Sequence, residues 1–142
     1  MTPVVGQNLP PLRIDNLSTE SMKVWAGILR DPNPIHLDPA VVRAQGLGER
    51  VINQGPANLA YVISMLQAAF PGAFIETLDT RFLGNAFAAD NLEAGGEVSA
   101  VDPIEDGLRF TCDAWLQAEG RDKVVALRAT LVLHNDNHRQ GD

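Results

Sequence analysis

Fifteen consecutive residues, Pro56 to Phe70 (PANLAYVISMLQAAF), carry no charge. Gly55-Pro56 opens the run and Pro71-Gly72 closes it, a proline suited to a first helical turn at one end and a stop at the other. Leu59, Val62, Ile63, Leu66 and Phe70 recur at helical spacing, and Ala60, Met65, Ala68 and Ala69 extend the apolar surface almost all round. Such a helix belongs inside protein. It is shorter than the ~20 residues that span a bilayer, so the rest of the chain must wrap it.

The second half supplies the wrapping. Residues 108–117 alternate, with Leu108, Phe110, Cys112, Ala114 and Leu116 on one face and Arg109, Thr111, Asp113, Trp115 and Gln117 on the other. Residues 123–134 repeat the pattern with Val125, Leu127, Ala129, Leu131 and Leu133. Residues 118–122 (AEGRD) read as the hairpin loop between them. Residues 74–83 and 95–101 read as two further strands, and an early strand near 11–14 or 50–54 brings the count to five or six. The expected architecture is α+β, an antiparallel sheet curled around one central helix. Cys112 falls on the apolar face and is read as core rather than nucleophile.

The first half is helical. Residues 19–30 form an amphipathic helix with Ser18 as N-cap, Glu20 in the first turn and Arg30 in the last. A short helix over 39–45 follows, capped by Asp38 with Pro39 at its first position.

The 142 residues suit one domain, 1–142, with 135–142 as a frayed tail. His134 and His138 lie in or beside that tail with no third ligand near, so no metal site is expected. A net charge of −7 argues against nucleic-acid and anionic-membrane partners. One cysteine permits no internal disulfide, which fits a reduced compartment, most simply the cytoplasm.

Between the two early helices lies RDPNPIHLD, residues 30–38. Pro32 and Pro34 forbid regular helix and fix φ twice. Asn33 is placed to cap a tight turn, with His36 three residues on. The corner therefore holds Asp31 and His36 on a rigid bend. His exchanges a proton near neutral pH, and Asp orients water or acts as acid. Turn chemistry accounts for the same residues, and on residue types alone it is the more common reading.

DPNPIHLDP followed by GLGERVINQGP resembles the signature of the MaoC-like hydratases, the (R)-specific enoyl-CoA hydratases and their dehydratase relatives. The match rests on Asp31, Asn33, Pro34, Ile35, His36 and Gly55, and residues 80–98 resemble the family's later strand pair. The resemblance implies a hot-dog fold, a homodimer or dimer of dimers, and a site near the subunit interface. It implies reversible addition of water to a trans-2-enoyl thioester, with coenzyme A as part of the substrate and no other cofactor. Asp31, His36 and Gly55 become the expected catalytic residues: His36 as main base, Asp31 as water-orienter and acid, and the Gly55 N–H as donor to the thioester oxygen. Asn33, Asn53, Gln54 and Arg81 are the expected substrate-binding residues, with Asn33 also fixing the bend and Arg81 alternatively pairing with Asp79.

Two departures stand out. Leu29-Arg30 replaces the small Ser-Gly that many family members carry before the Asp, and Gln54 replaces a His before the helix glycine. They point to a divergent substrate, with a polycyclic steroid side-chain acyl-CoA as one reading. The alternative class is a non-catalytic or partner-dependent subunit of a heteromeric hydratase. Thioester hydrolysis, a third hot-dog activity, is disfavoured because residues 56–70 hold no carboxylate.

Overall fold

The structure, a computed structural model, describes residues 1–135. Its elements run β1 (Leu12–Ile14), α1 (Thr19–Leu29), a 3₁₀ turn (Pro34–His36), α2 (Pro39–Ala44), α3 (Gly55–Ala69), β2 (Phe74–Phe82), β3 (Leu92–Ile104), β4 (Gly107–Ala118) and β5 (Lys123–His134). The strands form one antiparallel sheet in the order β1-β3-β4-β5-β2. The sheet curls around α3, which is the hot-dog fold.

Among the described residues five strands are present, the lower of the two expected counts. The early strand is Leu12–Ile14, and the 50–54 segment contributes only an isolated bridge between Ile52 and Phe87. β3 runs well past the expected 95–101, because Gly95, Gly96 and Pro103, which blur a strand in the sequence, all pair in register with β4. Register shifts at Val98/Ala100, Ile75/Thr77 and Leu116/Gln117 bend the sheet. Gly96 sits where the backbones crowd: a Cβ there would lie 2.9 Å from the Asp113 carbonyl oxygen. At Gly95 the Trp115 indole lies over the strand, 3.0 Å from the point a Cβ would take.

α3 fills the concave face as its composition requires. Val62, Met65, Leu66 and Phe70 pack with Phe110, Cys112, Leu116 and Leu131, and the Phe70 and Phe110 rings meet edge-to-face at 4.7 Å. The buried face is rotated from the expected stripe. Leu59 and Ile63 are half-buried, whereas Ala57, Asn58, Met65 and Ala69 are fully buried. A helix apolar nearly all round carries little periodic signal, so its neighbours choose the face.

Three helix starts are capped as read. Ser18 accepts from the Glu20 and Ser21 N–H groups, Asn33 from Ile35, and Asp38 from Ala40. Arg30 is not in the last turn of α1. It is the C-cap, left-handed at φ 49°, with its N–H on the Ala26 and Gly27 carbonyls. Among the described residues no helix is long and apolar enough to cross a membrane. His134 ends β5 opposite Gly107, and the Asn135 N–H donates to the Asp106 carbonyl at 2.8 Å. His138 and the remainder of the expected tail lie outside the described residues.

Candidate active site

The corner is a chain of short-range bonds. The α1 C-cap turns the chain, and the Asp31 N–H donates to the Ala26 carbonyl at 3.0 Å. Asp31 Oδ1 accepts from the Asn33 N–H at 3.0 Å, and Asn33 Oδ1 accepts from the Ile35 N–H at 3.2 Å. Each side chain holds the backbone two residues on, and the prolines remove the remaining freedom. The Asn33 amide oxygen is thereby committed to the bend.

His36 leaves this turn and enters the protein, where it is 8% exposed. Its Nδ1 lies 2.6 Å from the Ile52 carbonyl oxygen. A carbonyl only accepts, so Nδ1 carries the proton and donates, and Nε2 is left for chemistry. Nε2 lies 3.3 Å from Asp31 Oδ2. The structure thus brings Asp31 and His36 together, with one carboxylate oxygen spent on the turn and the other turned to the imidazole. Asp31 keeps about a third of its side chain exposed (34%), so water reaches the pair from its side.

The Ile52 carbonyl is a site group that sequence reading missed. Its side chain is irrelevant to the role, so no residue pattern announces it. The segment carrying it is clamped from several directions. The Ile52 N–H donates back to the Ile35 carbonyl at 3.0 Å, and the Asn53 N–H donates to the Ala86 carbonyl at 2.8 Å. Just upstream, Arg50 donates to the Ala88 carbonyl at 2.7 Å and pairs with Asp90 at 3.1 Å. Arg121 pairs with the same carboxylate, and both guanidinium groups lie over the Phe87 ring.

Three residues beyond Ile52, α3 begins. Gln54 holds the N-cap position but makes no side-chain cap. It is fully buried, and its Nε2 donates to the Met22 carbonyl at 2.8 Å, tying α3 to α1. Asn53, also buried, donates from Nδ2 to Asn58 Oδ1 at 2.7 Å. Both amides are spent on one side inside the protein, and Asn53 Oδ1 and Gln54 Oε1 have no partner among the described residues. Pro56 has no N–H, and the first helical bond is made by Asn58 to Gln54. Among the described residues nothing accepts from the Gly55 or Ala57 N–H groups. This terminus presents free donors with the helix dipole behind them, suited to an oxyanion.

Arg81 is not part of this constellation. It lies exposed on β2 opposite Ala126, in a surface cleft with Asp113, Trp115 and Lys123, and it forms no ion pair with Asp79. An open cleft of 410 Å³ reaches His36 from another side, lined by Thr19, Lys23, Leu37, Arg50 and Val51 among others. Cys112 is wholly buried, and burial, with Asp113 nearby, pushes its thiol up to about 12, so it supplies no thiolate at neutral pH. No cluster of three metal-ligating side chains occurs among the described residues.

Comparison with known proteins agrees with this geometry. The MaoC-like domain family matches residues 4–111. Among solved structures, an (R)-hydratase from A. caviae involved in PHA biosynthesis superposes with a TM-score of 0.81 at 25% identity, covering 92% of this chain and 96% of that one. The ChsH1-ChsH2 complex from Mycobacterium tuberculosis contains a chain matching with a TM-score of 0.78 at 23% identity, covering 92% and 98%. R-hydratase PhaJ1 from Pseudomonas aeruginosa matches at 0.79 and 20% identity, covering 94% and 83%. Comparison with curated protein sequences gives no match. With Asp31 and His36 held together on one corner of a hot-dog fold and the family matching over most of its length, the chain belongs to the MaoC-like hydratases and dehydratases.

Proposed function

We propose that the protein adds water reversibly to a trans-2-enoyl-CoA thioester, giving the (3R)-3-hydroxyacyl thioester. The observation that carries the reading is the 3.3 Å approach of His36 Nε2 to Asp31 Oδ2, on a corner tied through Ile52 to the segment that opens α3. Water beside the pair, within hydrogen-bond reach of both atoms, meets a base and an acceptor at once. Its oxygen attacks C3 while a proton passes to the pair, and charge moves to the thioester oxygen. The Gly55 N–H donates to that oxygen as the charge develops. The pair then returns a proton to C2. One double bond becomes one C–OH and one C–H bond, so the pair ends in its starting protonation state. Coenzyme A enters only as part of the substrate.

A homodimer or dimer of dimers is part of this proposal. β2 is an edge strand with Phe74 and Phe82 exposed on it, which suits pairing with a second chain. The similarity to a chain of the ChsH1-ChsH2 complex supports a second reading, a subunit that works only with a different partner. Purified protein assayed on trans-2-enoyl-CoA thioesters from crotonyl-CoA to steroid side chains, with chiral analysis of the product, separates the two. Turnover giving the 3R alcohol supports the first. Inactivity alone, relieved by adding a second MaoC-like subunit, supports the other. Release of free CoA without hydration would reject both.

A further inference from the structure

Phe82 ends β2, the edge strand that pairs with β5. Three of its ring atoms lie 3.3, 3.5 and 3.9 Å from the point where a Cβ on Gly55 would sit. The ring therefore rests against the first residue of α3, beside the N–H assigned to the thioester oxygen. It is nonetheless 57% exposed. A phenyl ring held on one side and open on the other is a wall and not core. Its companion on the same strand face is Thr80, two residues back, whose hydroxyl is buried with no partner among the described residues. Arg81 between them points to the other face.

An oxygen accepting from the Gly55 N–H sits roughly 3 Å from that nitrogen, which puts C1 and C2 of the thioester within a few ångströms more. The Phe82 ring lies against this same residue, 3.3 Å from the point a Gly55 Cβ would take. We infer that Phe82 is a specificity-determining residue that admits an unsubstituted C2 and excludes a branch there. The inference rests on the hydratase reading above and deepens it: the preferred substrates are linear 2-enoyl thioesters. The glycine belongs to the same argument. A methyl group at position 55 would press on the ring, so the contact is set by having no side chain at one partner and a large one at the other.

The experiment compares wild type, Phe82→Leu and Phe82→Ala on crotonyl-CoA and 2-methylcrotonyl-CoA. One methyl group against a fitted wall is worth roughly 10–200-fold in kcat/KM. Phe82→Ala should raise the ratio of branched to linear kcat/KM by at least tenfold, and Phe82→Leu by less. A ratio unchanged within twofold overturns the proposal. Because Phe82 lies on the strand proposed to pair with a second chain, circular dichroism and light scattering first check that both variants keep the wild-type fold and assembly state. Calorimetric binding of butyryl-CoA and 2-methylbutyryl-CoA gives a readout without turnover. If wild type hydrates nothing yet prefers the linear ligand, and Phe82→Ala abolishes that preference, the wall stands and hydration falls. If Phe82→Ala keeps the preference, the wall falls whatever the activity. Binding of neither ligand to wild type overturns both.

Discussion

The 3₁₀ turn at Pro34 and the start of α3 each place a proline in the first helical turn, yet their polar groups are treated in opposite ways. At the turn, Asp31 and Asn33 occupy the loose backbone donors, and Asp31 Oδ2 and His36 Nε2 are left facing each other. At α3 the cap residue turns away to Met22, and the Gly55 and Ala57 donors are left open. An unmade cap forgoes about 1 kcal/mol, and Ser18, Asn33 and Asp38 show that this chain caps helices elsewhere. The contrast follows the work of each region. Proton transfer needs two side chains at a fixed separation, so the corner is saturated and stiff. Charge stabilisation needs donors that are unspent until charge develops, so the helix start is left unsatisfied.

The largest effect should come from the corner. His36→Ala, and separately Asp31→Asn, should lower kcat for crotonyl-CoA hydration by roughly 10²–10⁴-fold with the circular dichroism spectrum unchanged. Wild-type turnover in both would break the assignment of proton transfer to this region. The helix start is tested by removing its donor alone. Gly55→Pro keeps a residue tolerated at a first helical position but deletes the N–H, and about 10²–10³-fold of kcat should be lost. Gly55→Ala keeps the N–H and adds only a methyl 3.3 Å from the Phe82 ring, so it serves as the control and should lose far less. Equal losses in the two variants would make shape, not donation, the function of that terminus.

Stability effects are smaller. Asn33→Ala removes the bond to Ile35 and should cost about 1 kcal/mol, read from a denaturant midpoint, with a fall in kcat because His36 loses its fixed platform. A stability loss with unchanged kcat would show the corner to be stiffer than its caps. Arg30→Gly should act in the opposite direction. The left-handed φ of 49° is strained for Arg and free for Gly, so unfolding free energy should rise by about 0.5–1 kcal/mol. A fall instead would show that the Arg30 side chain contributes more than its backbone costs.

Local patterns were legible in the sequence. Ser18, Asn33 and Asp38 cap their own near neighbours, and alternation over 108–117 and 123–134 fixes which residues of β4 and β5 face inward. The bend that carries Asp31 and His36 was legible because its members are five residues apart, and the resemblance to a family motif, not the spacing, marked them as a pair. Contacts over longer separations were not. His36 finds its acceptor 16 residues away on a backbone carbonyl, Arg50 and Arg121 meet at Asp90, and Phe82 meets Gly55 only through the fold. Asn53 and Gln54 stand between Ile52 and the start of α3, but the sequence did not show that burial would turn their amides to Asn58 and Met22.

By itself, then, the sequence determined an uncharged helix that must be wrapped, strands able to wrap it, and a corner that holds an acid and an imidazole. Those properties depend on periodicity and on bonds between near neighbours, which the order of residues fixes directly. The tertiary structure alone decided which face of α3 is buried, which nitrogen of His36 is free, and what stands against Gly55. Each of these depends on a partner supplied from a distant part of the chain, and an apolar helix, an imidazole and a glycine all accept more than one.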